Sequence, residues 1–392
     1  MINLDNCKKS KKGSDVKKAL SNILNSFYIQ KKFKNFKINY SLKYPETENY
    51  FKFDFLITFN DDITWIIHCT STYRSDRAQG IEYRSEHLKK LNPSINASYL
   101  IIPNGINEEE KKLGYDASKK IRTGKRFSSL DDVLTFRELE LLIESKISSL
   151  DSVGKRNADR GISLEQRLAR IFNNENNKKC WNHNSDNSIV GDNYDWFYML
   201  LKSFGINESE KVLHIEATNK LPKLPSRGTP KTDVYIEIET DIQKYDIKVS
   251  CKNSHSNSVS VHEYSADDFI KVLGIESPTM ANSIREFQKH GGKKAFMENS
   301  LDLYIEFSEN ISKYNKKLIE WAFFGIGGEG NNKQIANYMF TYKPHVDSFS
   351  IYNSQEYIEV QSKIKKQFNT PFTWTYPSGN KGNRIQLKAQ VL

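Results

Sequence analysis

Cysteine is scarce in this chain of 392 residues: Cys7, Cys69, Cys180 and Cys251 are scattered, and no two form a C-x-x-C pair. That spacing speaks against a zinc site or a disulfide framework and suits a reducing cytoplasm. No apolar run approaches the ~20 residues of a membrane-spanning helix. The first residues are polar and lysine-rich rather than signal-like, so the expectation is a cytoplasmic protein with no membrane partner. No low-complexity tract is present. Gly325-Ile-Gly327-Gly328-Glu-Gly330 has the glycines of a phosphate loop but lacks its Gly-Lys-Ser/Thr ending, and reads as a tight loop. Acidic residues are outnumbered: 48 Asp and Glu face 58 Lys and Arg, a net charge of +10. This balance favours a polyanionic partner such as nucleic acid.

The length allows two or three domains. Strand and helix patterns follow one another in both halves, which suits α/β layers. Residues 136–147 carry helical apolar spacing, whereas 148–161 is polar and punctuated by Gly154 and Gly161. The expected division is an N-terminal α/β domain over 1–148, a linker over 149–160, and a second domain over 161–392.

The densest chemistry lies between Pro230 and Asn253. Val234, Ile236 and Ile238 alternate with Asp233, Tyr235, Glu237 and Glu239. After the turn-like Thr240-Asp-Ile-Gln243, Tyr245, Ile247, Val249 and Cys251 alternate with Asp246, Lys248, Ser250 and Lys252. Such period-2 alternation predicts a β-hairpin whose arms each have one core face and one face free for chemistry. With the hairpin centred between residues 241 and 242, facing positions sum to about 483. Asp233 then meets Ser250, with Lys252 one step beyond on the same face. Asp246-Ile-Lys248 is a closer literal acid-x-lysine match, but it would face Glu237, roughly 13 Å along the strand from Asp233.

A carboxylate and a lysine so placed suit phosphodiester hydrolysis: the first can hold a divalent cation and the second can stabilise developing negative charge. With Lys231-Thr232-Asp233 where the family has Pro-Asp, and Ser250-Cys251-Lys252 where it has Asp/Glu-x-Lys, the chain resembles the PD-(D/E)XK nucleases, and among them type II restriction endonucleases. The resemblance implies a mixed-sheet, restriction-endonuclease-like core flanked by helices and a Mg²⁺ cofactor held by Asp233 and the carbonyl of Cys251. Ser250 departs from the family's carboxylate and is a poor Mg²⁺ ligand. Ser163 and the following Leu164, Leu168 and Phe172 predict a capped amphipathic helix. The resemblance implies a glutamate from such a helix, and Glu165 matches that position; an ordinary first-turn glutamate favoured by the helix dipole is the other reading. Glu216 and Glu237 are weaker candidates.

Beyond the hairpin, Asn253, His255, Asn257 and His262 offer groups for phosphate oxygens or base edges. A helix over 281–290, ended by glycine, could turn Arg285, Gln288 and Lys289 to a groove. Lys381 and Arg384 lie in a C-terminal loop with aromatics and glycines.

A second hairpin of similar design stands in the first domain. Residues 53–59 alternate, Asn60-Asp-Asp62 turns the chain, and Ile63 to Thr70 returns. Pairing about residue 61 sets Asp54 opposite His68 and puts Thr70 where a nuclease lysine would stand. The first domain is therefore readable as a degenerate nuclease copy turned to DNA recognition, with Arg74 and Arg77 as phosphate contacts; a hydrogen-bonded structural pair is the plainer account of Asp54 and His68. Tyr99 to Pro103 reads as a buried strand, followed by a charged loop over 104–125.

The reading is a Mg²⁺-dependent restriction endonuclease acting on double-stranded DNA. Two strands require two sites or successive nicks, which suits a homodimer, and the resemblance implies a cognate DNA methyltransferase as genetic partner. A structure-specific repair or junction nuclease, an RNA nuclease and a non-catalytic DNA-binding module are the alternatives.

Overall fold

The computed structural model describes residues 4–43, 48, 50–103, 108–126, 128–148, 164–183, 189–253, 258–343, 348–390 and 392. Two compact units form, Met1–Ala158 with Ile171–Val212, and Asp159–Arg170 with Leu213–Leu392. The expected linker over 149–160 lies outside the described residues.

Residues 171–212, which the sequence places beyond the linker, cluster with the first unit, and side chains say why. The Arg137 guanidinium reaches the Asp195 carboxylate at 2.8 Å and lies 5.3 Å from the Trp196 ring centre. Val190 joins the same apolar cluster as Leu139 and Ile143.

In the first unit α1 (Leu4–Ile29) precedes a five-stranded sheet of order β1-β2-β3-β4-β5, comprising β1 (Phe33–Lys43), β2 (Tyr50–Phe59), β3 (Thr64–Cys69), β4 (Ile95–Ile102) and β5 (Asp132–Thr135). The first three strands run antiparallel and β3, β4 and β5 run parallel. The parallel pairings need crossovers, supplied by α2 (Ser75–Leu91) and α3 (Glu108–Arg122). The charged loop expected at 104–125 is largely α3. Its apolar stripe is narrow, with buried Ala117 and half-buried Ile121 one turn apart, so its many charges hide the helical period. Helices α4 (Phe136–Ser148), α6 (Glu175–Asn182) and α7 (Tyr194–Ser203) complete this unit. Between α4 and α6, α5 is helical over residues 164–172, and its 164–170 portion belongs to the second unit.

The second unit also centres on a five-stranded mixed sheet. Its main sheet has the order β11-β10-β8-β7-β6, from β6 (Val212–Thr218), β7 (Val234–Thr240), β8 (Lys244–Asn253), β10 (Tyr338–Lys343) and β11 (Ser348–Asn353). β7 and β8 form the expected antiparallel hairpin, and β10 lies parallel to β8. The observed partners, Ile236 with Ile247 and Glu237 with Asp246, carry the anticipated register. Thr240 fixes the turn: its hydroxyl accepts from the amides of Ile242 and Gln243, satisfying donors the ladder leaves over.

A small sheet of order β12-β13-β9 joins β9 (Val259–Tyr264), β12 (Phe372–Thr375) and β13 (Ile385–Ala389). It packs with α8 (Ala266–Leu273) and α9 (Pro278–His290) around Phe269, Phe287, Phe307 and Trp374, which are all essentially inaccessible. α9 opens on Ser277, whose hydroxyl accepts from the Met280 amide, with Pro278 in the first turn; it ends on Gly291 at φ 72°, a left-handed C-cap that favours glycine.

Candidate active site

Asp233 extends the β7 ladder by one residue, its amide donating to the Val249 carbonyl at 2.8 Å. That anchors its side chain over the end of β8. Its Oδ2 accepts from the Cys251 amide at 2.7 Å and from the Ser250 hydroxyl at 3.4 Å. The Lys252 Nζ stands 3.6 Å from the same oxygen. Lys252 also donates to the Cys251 carbonyl at 2.9 Å and lies 3.3 Å from the Ser250 Oγ. Ser250, fully buried, thus links carboxylate to ammonium, with its own proton directed to Asp233.

Glu165 reaches this group from α5. Burial lifts its carboxyl to about 8; the Asp233 carboxylate adds to the rise and Lys252 opposes it. Two carboxyl groups and one lysine therefore share a field in which water is scarce, and each charge weighs more than it would at the surface. Burial also pushes the Cys251 thiol well up, with Asp233 and Glu165 reinforcing it, so the thiol stays protonated.

Lys231 belongs to the same motif, although the pattern alone assigns it no role. Its Nζ donates to the Val261 carbonyl at 2.7 Å, and burial, then the repulsion of Lys252, pulls it down to about 7 against the attraction of Asp233.

The rival acid-x-lysine pair stands apart. Asp246 faces Glu237 across the hairpin, and Lys248 turns to Asp246 at 3.4 Å and to Asn332 at 3.1 Å. Glu237 takes the Tyr235 hydroxyl at 2.5 Å and Lys333 at 3.5 Å, and Glu216 is exposed on β6. Neither touches Asp233.

Among the groups expected to contact DNA, Asn253 is half-buried at the end of β8, while His255 and Asn257 lie outside the described residues. His262 needs a correction. It is 4% exposed, wedged edge-on against Trp321 with ring centres 3.9 Å apart, edge-on to Phe269 and tilted against Tyr264. Burial holds its imidazole far below its ordinary value, so it is a neutral core ring rather than a surface contact. The polar loop composition concealed that β9 begins at Val259 and turns His262 inward opposite Leu387. Gln288 is also committed internally, accepting from the Ala266 amide at 2.6 Å and donating to the Gly382 carbonyl at 3.2 Å.

Arg285 and Lys289 are exposed, paired with Asp267 at 2.9 Å and Glu286 at 3.0 Å. Arg384 is exposed, 3.4 Å from the Glu263 carbonyl, and Lys381 lies over Tyr376 at 5.6 Å. In the first unit Arg74 is exposed and bound to Asp76 at 3.0 Å, and Arg77 reaches the Thr70 hydroxyl at 3.4 Å.

The first unit's hairpin reproduces the geometry of the second. Phe55 pairs with Ile67, so Asp54 falls opposite His68, and Asp54 Oδ2 accepts from the Cys69 amide at 2.9 Å. Lys17 of α1 holds Asp54 Oδ1 at 2.6 Å.

A mixed sheet bearing an Asp…Ser-x-Lys cluster at its hairpin, with a helix-borne glutamate, defines a restriction-endonuclease-like nuclease core. The family model described as "Restriction endonuclease MspI" matches residues 141–389. The chain is 31% identical to the type II restriction enzyme BsuFI of Bacillus subtilis, over 99% of both chains. It is 24% identical to the type II restriction enzyme MspI of Moraxella sp, over 58% of this chain and 88% of that one. The crystal structure of MspI in complex with its cognate DNA superposes with a TM-score of 0.52 at 21% identity, covering 64% of this chain and 98% of that one. The chain belongs to the MspI restriction endonuclease family and is a type II site-specific deoxyribonuclease.

Proposed function

We propose that this enzyme cleaves double-stranded DNA with Mg²⁺ as cofactor, using Asp233, Glu165, Lys252 and Ser250. The carrying observation is the convergence of Asp233, Lys252 and Glu165 on one half-buried patch. The donor set fits a hard cation: the Asp233 and Glu165 carboxyls and the Cys251 carbonyl are all oxygen ligands, and the burial and Asp233 charge that disfavour ionised Glu165 are what a bound cation would offset. Bound there, Mg²⁺ would neutralise the scissile phosphate and make a coordinated water acidic.

The side chains divide the remaining work. Asp233 is held in place by the Cys251 amide, so its second oxygen, Oδ1, is aimed without reorganisation. Ser250 joins Asp233 to Lys252 and fixes the lysine's height over the strand. Lys252 stands beside Asp233 and donates to a phosphate or attacking oxygen by leaving the Cys251 carbonyl. Glu165 would hold the cation as a carboxylate, which requires loss of its proton, because a ligand must be ionised.

Incubating long unmodified duplex DNA with the enzyme, with Mg²⁺ or with EDTA and beside Lys252→Ala, tests this. Discrete fragments that require Mg²⁺ and vanish in the variant are expected. Fragments surviving Lys252→Ala would remove this cluster from the reaction. Binding without cleavage under every condition would leave a DNA-binding module, and cutting confined to branched DNA would mean recognition of shape.

A further inference from the structure

We propose that the first unit is a nuclease-fold copy whose former catalytic cleft has become a binding pocket for backbone phosphate of double-stranded DNA, without hydrolysis. The strand scheme supports the copy: in each sheet an antiparallel hairpin is followed by a strand parallel to its second arm, β2–β3–β4 in one unit and β7–β8–β10 in the other. A helix earlier in the chain contributes a charged side chain to each site, Lys17 to Asp54 and Glu165 to the field of Asp233. The details repeat as well, since Asp54 accepts the Cys69 amide at 2.9 Å as Asp233 accepts the Cys251 amide at 2.7 Å. Asp54 and Asp233 thus occupy one station, as do Cys69 and Cys251.

The differences all run in one direction. Where α5 brings Glu165, α1 brings Lys17, whose ammonium already lies 2.6 Å from Asp54. A fixed protein cation there repels a metal ion and neutralises the carboxylate. Where the second unit has Ser250, this one has His68, buried and near Ser85 at 3.3 Å. Burial holds that imidazole down to about 4, so it adds no charge near neutrality. Thr70 replaces the lysine.

What remains is a cleft of about 560 Å³ rimmed by Lys17, Lys52, Arg77 and Arg84, with Asp54 and Asp76 the acids among its lining. Asp54 is bound by Lys17, and Asp76 by Arg74. Lys52, Arg77 and Arg84 make no ion pair among the described residues, while Arg84 is propped by the Gly80 carbonyl at 3.0 Å. Such a cleft has an unbalanced positive charge and two planar forks suited to phosphate oxygens, while Thr70 stands at the station of Lys252 and its Asp54 is already bound by Lys17.

The test measures equilibrium binding of a fluorescent duplex by the full-length enzyme in EDTA across a salt series, which separates it from any failure of the cleavage reading. Arg77→Gln with Arg84→Gln is expected to weaken binding and to lower the slope of log K against log salt by about one for each phosphate no longer neutralised. Lys17→Glu, which gives the cleft the acid of the other unit, is expected to weaken binding further. Arg77→Lys with Arg84→Lys is expected to restore the slope. Circular dichroism and melting identify any variant that fails to fold, and the lysine pair then decides. An unchanged slope in the folded glutamine pair would overturn the proposal, as would an equal loss in the lysine pair, which keeps the charge.

Discussion

Glu165 and Asp233, brought together from a helix and a strand, compete for one negative charge: the ionised Asp233, added to burial, holds Glu165 at about 8. In the cation-free protein Glu165 is therefore mostly protonated at neutral pH. Its folded value exceeds the ordinary 4.5, so between about 4.5 and 8 the folded chain carries more protons than the unfolded one. Stability then falls as pH rises through that window and levels off above it. Melting in EDTA across this range is expected to show the decline, and Glu165→Gln to flatten it. A steeper decline in the variant would refute the assignment.

The same proton sets the cation response. Ca²⁺, a non-reactive stand-in for Mg²⁺, is expected to raise the melting temperature more at about pH 8.5 than at about pH 5.5, because its ligands must be ionised. In Glu165→Gln the stabilisation is expected to shrink and to lose most of this pH dependence. Calorimetry in two buffers of different ionisation heat would register the released proton.

Lys252→Ala and Asp233→Asn should separate binding from chemistry. Each is expected to lower the single-turnover cleavage rate by on the order of 10²–10³ or more, as removal of one preorganised electrostatic group does. Asp233→Asn still offers an oxygen to the Cys251 amide, so its fold and DNA affinity in EDTA are expected to persist. Loss of affinity equal to the loss of rate would mean the residue acts in docking instead.

Ser250 is the position at which the chain departs from the usual acid-x-lysine pattern, and it is fully buried. Ser250→Asp adds a third carboxyl beside Asp233 and Glu165. Without a cation the melting temperature is expected to drop, because like charges crowd a site with little water. With saturating Ca²⁺ the gap from the parent enzyme is expected to close. Ser250→Ala removes only the link between Asp233 and Lys252, and a modest fall in rate with unchanged cation affinity is expected.

The hairpin was legible because alternation and turn position together specify register: Ile236 pairs with Ile247 and Phe55 with Ile67, and the stations of Asp233 and Asp54 follow. Local composition served less well where tertiary packing decides. His262 sits among hydroxyls and amides in sequence, yet β13 and Trp321 close over it. The charges of α3 masked a helix held by a narrow apolar stripe. Lys17 could not be read as the partner of Asp54, since 37 residues separate them and only the packing of α1 on the sheet joins them.

The membership of residues 171–212 in the first unit was equally hidden, and a buried ion pair among its contacts makes it testable. Arg137 and Asp195 have side chains only 7% and 19% exposed, and the guanidinium also lies over Trp196. Removing one partner strands the other charge away from water, so Arg137→Ala is expected to destabilise the first urea transition by about 3–5 kcal/mol. Arg137→Lys keeps the charge but lacks the planar fork and the stacking face, and should recover only part of that loss. Arg137→Met with Asp195→Leu removes both charges and is expected to lie well above the single alanine variant. If Arg137→Ala unfolded at the parent's urea concentration, residues 171–212 would be held to the first unit by other contacts, such as Val190 in the apolar cluster and the Asn193 amide on Glu140.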